Sequence, residues 1–372
     1  MQDSATFLQV LFDISLWIVL GLSYRRAYNS PYTINKRARI ICYLLILLFC
    51  LSPFWAGDYF HYNESFEKIR HGGFSHWEPI YQTIALFVPS YFVFRLVVWG
   101  VALFLLQLAY KKSSPTIDLC VFIFCVCYLH MYSYARASAA MTFIVLGLSV
   151  LANSQYRSRI LSIVLGFGII GCSVFFHRSA AIGVAAAIAS LFLVNANKKT
   201  IIILVLLSPV IVYTLQYSLG YFMTMDLDDE TYITDRKRDN YMVGGSGNMF
   251  YMGGGLGAII YNVLTRVPLY LSAILYVITV VKGQFNNFTI GERIMSSYAF
   301  SVIVLGLCFL IDFGYNTYVL HYRTLNYSMI ANAVFLAAVR RHGYNKKMFN
   351  VIIYSTMFGA FYMLAYAAYR AI

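Results

Sequence analysis

The chain has 372 residues, of which 60% are hydrophobic, 17% aromatic and 12% charged, against roughly 25% charged in soluble domains. That composition excludes an ordinary soluble protein, because uninterrupted apolar runs such as 40–56 and 160–176 recur along the whole length. The net charge of +13, from 28 Lys+Arg against 15 Asp+Glu, would suggest nucleic acid as the partner of a soluble protein. Here the basic residues stand as short clusters between apolar runs and read as topology signals, with no nucleic-acid partner implied.

A helix crosses a bilayer with about 20 apolar residues, and in chain order the runs predict about twelve spans. They lie near 7–24, 40–56, 80–110, 117–133, 137–154, 160–176, 179–195, 200–217, 257–281, 294–311, 324–339 and 348–369. The first lacks a basic lead and carries Asp13, so it reads as a span and not as a cleaved signal. The third is too long for one span and contains Pro89 and Arg95; it reads as a lipid-surface or re-entrant piece followed by a span from about Tyr91 to Tyr110. The predicted fold is an all-α polytopic membrane protein, one integral membrane domain over 1–372. Two long external connections interrupt it, 57–79 and 219–256. Glycines in the second suit either a mobile lid or a plain flexible connector. Cys42, Cys50, Cys120, Cys125, Cys127, Cys172 and Cys308 fall in or at the ends of apolar runs and read as packing residues.

Every second connection is basic. Arg25 to Arg39, Lys111 with Lys112, Arg157 with Arg159, Lys198 with Lys199, Lys282 with Arg293, and Arg340 to Lys347 mark one side, which the retention of basic loops makes cytoplasmic. Asp118 and Glu292 fall on that side. Most other acids and six of the seven histidines fall on the outer side, together with basic residues that are mainly Arg. Arginine's rigid fork suits phosphate or carboxylate, although snorkelling to the interface explains the same skew. Span interiors read as nearly free of polar groups, which argues against transport through them.

Four outer constellations could carry chemistry. Gly57-Asp58-Tyr59-x-x-Tyr62, followed by Trp77-Glu78-Pro79, sets carboxylates that can take a hydroxyl proton beside rings on which sugars stack. An aromatic belt at headgroup level accounts better for Tyr59, Tyr62 and Trp77. Arg136 stands at a tight turn among small residues, where helices approach closely. His177 and Arg178 fill a hairpin too short for a real loop, as base and anion clamp. Asp312, His321 and Arg323-x-x-x-Tyr327 form the fourth, with Arg266 as a weaker neighbour. No zinc, P-loop, GxSxG or dinucleotide pattern stands in a credible setting.

At these residues the chain resembles the EpsG/Wzy group of bacterial polysaccharide polymerases, which includes O-antigen polymerases. The resemblance rests on Gly57-Asp58-Tyr59-x-x-Tyr62 with Glu78-Pro79, on the Arg136 turn, on the Phe-His-x-Ser-Ala string at 176–180, and on Arg323-x-x-x-Tyr327. Gly147 follows Arg136 across ten residues, as in an Arg-x10-Gly pattern, whereas the Gln often found after that Arg is absent. The resemblance implies a multi-pass protein of the bacterial inner membrane with its site facing the periplasm, so that 57–79 and 219–256 become periplasmic loops. It implies undecaprenyl-diphosphate-linked oligosaccharides as donor and acceptor, no cofactor, and a chain-length regulator protein as a partner besides membrane lipid. The growing glycan would pass to the non-reducing end of the next unit by metal-independent transfer. Asp58, His177 or Glu78 would act on the hydroxyl, Arg136, Arg178, Arg323 and Arg266 on the diphosphate, and Tyr59, Tyr62 and Trp77 on the sugar. A flippase for lipid-linked sugars and a membrane O-acyltransferase are the rival readings.

Overall fold

The apolar runs fold as helices in the computed structural model, which describes residues 36–51, 59–73, 77–129, 135–153, 159–204, 255–310 and 318–371, with scattered positions between 11 and 29 and between 206 and 214. Asp58, Asp312, the side chain of Tyr59 and segment 219–254 lie outside the described residues. The helices are α1 (Lys36–Leu51), α2 (Tyr59–Arg70), α3 (Pro79–Phe87), α4 (Tyr91–Ser113), α5 (Ile117–Tyr128), α6 (Ala135–Ala152), α7 (Arg159–Phe176) and α8 (Ala180–Leu193), then α9 (Gly255–Val281), α10 (Ile290–Leu310), α11 (Tyr318–Asn326), α12 (Met329–His342) and α13 (Lys346–Ala371). No strand occurs among the described residues. Tyr91–Ser113, Arg159–Phe176, Val263–Val281 and Ile290–Phe309 are long and apolar enough to cross a membrane, and Ile117–Tyr128, Arg136–Ala152 and Ala180–Leu193 are shorter apolar helices. The protein is an all-helical membrane protein, and these helices do not establish the expected count of about twelve spans.

The third run breaks where its proline predicts. Val88 is extended ahead of Pro89, as sterics with the proline ring require, and Ser90 restarts the chain by accepting the Val93 N–H at 3.3 Å. Connection 57–79, read as a loop, contains α2, whose Phe66 and Ile69 are buried while Glu64 and Lys68 pair on its exposed face. The run at 324–339 is also interrupted. Its N–H groups at Tyr327 and Ser328 bond three residues back, to Thr324 and Leu325, at 3.0 Å each, so Arg323 belongs to α11 instead of opening the span. The interior is less apolar than the sequence implies. Asn332 on α12 donates to Tyr128 of α5 at 2.7 Å and to Ser272 of α9 at 3.2 Å, all three buried or nearly so. Such neutral bonds tie helices together in lipid and are hidden from a hydropathy reading.

Helix α6 lies against α7 and α4, and glycine makes the first contact close. A Cβ on Gly147 would stand 2.6 Å from the Gly166 carbonyl oxygen and 2.5 Å from Ile170 Cγ1. Backbone cannot yield as a flexible side chain can, so Gly147→Leu forces α6 and α7 apart. The expected result is a loss of about 1–3 kcal/mol, read as an earlier unfolding transition in detergent. Activity falls with it, because these two helices carry Arg136 and His177.

Polar contacts sort the helix termini into two ends. At one end Arg39 meets Asp118 at 2.6 Å, Arg341 and Ser114 meet Glu292, Arg293 donates to Asn195 and Lys282 to Asn345. This is the end of the basic connections, and both of its acids are held by arginine. Glu78, Arg136, His177, Ser179 and Tyr327 gather at the other.

Candidate active site

Glu78 is placed by the residue after it. Pro79 drives the preceding backbone to extended geometry, and Glu78 stands at φ −61°, ψ 145°. Its carbonyl accepts the Tyr81 N–H at 2.9 Å and so begins α3, while its side chain makes no bond to that helix and reaches two others. Glu78 Oε2 accepts from Arg136 Nη1 at 2.8 Å. Oε1 lies 3.2 Å from His177 Nδ1 and 3.4 Å from the N–H of Arg178, at the entry to α8. The positive end of α8 favours the carboxylate.

Arg136 is the second residue of α6, and α2 and α3 clamp it. Its guanidinium lies 5.0 Å from the Tyr62 ring centroid, a cation–π distance, with Nε and Nη2 at 3.4 and 3.3 Å from the Tyr62 hydroxyl. The Tyr81 hydroxyl donates to the Arg136 carbonyl at 3.3 Å. His177 ends α7 with its N–H on Ser173 O at 3.1 Å, and the Ala180 N–H returns to His177 O at 2.8 Å. That closed turn fixes the imidazole's direction. Its Nε2 has no hydrogen-bond partner among the described residues.

Burial alone would raise the Glu78 carboxyl, but the hydrogen bond from His177 and the charge of Arg136 outweigh it and lower the pKa from 4.5 to about 2. Such a carboxylate is a poor proton acceptor near neutrality and a good anchor for cations. Its share of stability is complete above pH 4.5 and is lost as pH falls through about 2.

The other expected site residues divide. Trp77 is buried, stacked on Phe94 with ring centroids 5.1 Å apart and edge-on to Tyr62 at 5.8 Å, so both rings are committed to protein contacts. The Arg178 side chain is exposed. Ser179 Oγ lies 3.0 Å from the Tyr327 hydroxyl, and Arg323, one turn before Tyr327, acts electrostatically on that phenol. Arg266 stands in a second group, where the Tyr270 hydroxyl donates to His321 Nε2 at 2.8 Å and His321 Nδ1 donates to Gly306 O at 2.6 Å. The carbonyl can only accept, and this fixes the tautomer. Two arginines expected on the outer side donate to backbone carbonyls. Arg70 donates to Pro89 O at 2.7 Å, and Arg95 closes the C-terminus of α1 through Leu51 O at 2.8 Å and Cys50 O. Sequence reasoning missed Tyr81, whose ring packs among Trp77, Phe94 and Phe176. It also missed that one carboxylate would serve both Arg136 and His177.

A carboxylate-held imidazole with an open nitrogen, beside several guanidinium groups at one end of a lipid-embedded bundle, can deprotonate a hydroxyl and steady an anion. No curated protein and no solved structure is detectably similar to the chain. The EpsG family matches residues 37–371, nearly the whole length, and the chain therefore belongs to the EpsG family, which contains Wzy-like polysaccharide polymerases.

Proposed function

We propose that the protein is an O-antigen-type polysaccharide polymerase. It moves a growing glycan from undecaprenyl diphosphate to the non-reducing end of an undecaprenyl-diphosphate-linked repeat unit, on the periplasmic face of the bacterial inner membrane. The observation that carries this reading is the convergence of Glu78, Arg136 and His177 at the end opposite the alternating basic connections. Basic connections are retained in the cytoplasm, so the His177 end faces outward.

In the proposed reaction His177 Nε2 takes the acceptor hydroxyl's proton as that oxygen attacks the anomeric carbon of the growing chain. The bond from that carbon to the diphosphate oxygen breaks, and its electron pair leaves with undecaprenyl diphosphate. Glu78 holds the imidazole through Nδ1 and steadies the imidazolium that forms. Arg136, Arg178 and Arg323 meet the charge of the leaving diphosphate. Asp58 is the second candidate for the acceptor's proton.

Variants in a host whose surface glycan depends on this chain test the reading. His177→Ala, Arg136→Ala and Asp58→Ala should each replace the ladder of long chains by lipid carrying a single repeat unit. Loss of even the single unit would identify a flippase, and unchanged ladders in all three would overturn the site.

A further inference from the structure

Glu78 is one carboxylate divided between two side chains. Its Oε2 makes a short ion pair with Arg136 at 2.8 Å, whereas Oε1 meets His177 Nδ1 at a longer 3.2 Å. The Glu78 side chain is 6% exposed, so water screens neither contact strongly. A charge shared in this way is drawn toward whichever partner is more positive. With a neutral imidazole beside it, that partner is Arg136. With an imidazolium, two cations compete for one carboxylate, and Arg136 loses part of its neutralisation.

We infer that Glu78 is a positioning residue that couples the two halves of the transfer: proton uptake at His177 draws its charge to the Nδ1 side and frees the Arg136 guanidinium for the diphosphate. This rests on the polymerase reading above. The timing follows from the chemistry. The acceptor's proton reaches Nε2 while the electron pair of the breaking carbon–oxygen bond moves onto the diphosphate, so Arg136 is released as the anion develops. The proton then leaves Nε2 to the diphosphate or to water, and the carboxylate returns to Arg136.

The Glu78 carboxylate lies among His177, Arg136 of α6, the Arg178 N–H and the phenols Tyr81 and Tyr327, with Tyr62 on Arg136 and Arg323 of α11 acting on Tyr327.

The test uses the full chain in detergent with farnesyl diphosphate as the binding probe, alongside polymer synthesis from lipid-linked repeat units. Glu78→Gln leaves Arg136 without its counter-ion, so the probe should bind at least about 5-fold more tightly while kcat falls about 100-fold or more. A Glu78 that merely holds the fold would lose binding and rate together, and unchanged or weaker probe binding by the folded variant overturns the coupling. If Glu78→Gln does not fold, the wild-type chain serves instead. Its probe binding should tighten as pH is lowered, and Arg136→Gln, whose amide can still donate to Glu78, should flatten that response. The probe's own ionisation is common to both and cancels in the comparison. Equal pH responses overturn the coupling. A folded wild-type chain that makes no polymer overturns the polymerase reading instead, and the binding comparison still judges the coupling by itself.

Discussion

Arg136→Ala abolishes the glycan ladder and removes about 3–5 kcal/mol of stability in the same stroke, because Glu78 is left as a buried carboxylate without its strong cation. His177 alone, at 3.2 Å and able to turn neutral, replaces little of that attraction. The two losses have different origins, and a second substitution separates them. Arg136→Ala with Glu78→Gln removes the stranded charge and should recover most of the stability, since a neutral amide is far cheaper to bury than a carboxylate. It should recover none of the polymer, because the Arg136 guanidinium is lost from the leaving group and no carboxylate holds His177. Denaturant unfolding of the purified chain reads the first effect, and surface glycan ladders read the second. If the double variant regains both, Arg136 is only a counter-ion. If Arg136→Ala unfolds no earlier than the wild type, the ion pair does not exist in the protein.

Each member of this site stood in a short string that sequence alone could read. Glu78 precedes a proline, Arg136 opens a helix of small residues, and His177 fills a turn between two apolar runs. Their meeting could not be read, because it depends on how α6 seats against α7. That seating is set by Gly147 and Gly166, and their meaning lies in the space around them. The alternation of basic connections was legible because lysine and arginine sort by side of the membrane, and contacts such as Arg39 with Asp118 agree with it. The arginines of the outer end were harder. Composition gave them one common purpose, whereas Arg70 and Arg95 satisfy the open carbonyls of Pro89 and of the end of α1. A free carbonyl at a helix end leaves no mark in the sequence of the residue that reaches it. Tyr62 and Trp77 were ambiguous for a similar reason: a ring that serves a sugar and a ring that serves a neighbouring guanidinium or phenyl group have the same letters.

A fully buried carboxylate at the opposite end should behave in reverse. Glu292 and Thr289 form a reciprocal cap on α10, with the Thr289 N–H on Oε2 at 2.9 Å and the Glu292 N–H on Thr289 Oγ1 at 3.2 Å. Arg341 of α12 and Ser114, next to α4, close on the same carboxylate, which has no exposed surface. Glu292→Ala therefore takes the buried carboxylate from Arg341 and opens the cap, for a loss of about 3–5 kcal/mol. Glu292→Gln keeps an oxygen for the Thr289 N–H, so the difference between the two variants isolates the cap at about 1 kcal/mol. Polymer formed per folded molecule should stay at the wild-type level in both, because every group assigned to the reaction lies at the His177 end. Unfolding curves and glycan yield normalised to folded protein decide the matter. A Glu292 variant that folds as stably as the wild type but makes only single-unit lipid would move the chemistry to the basic end, and the outward orientation of the His177 site would fall with it.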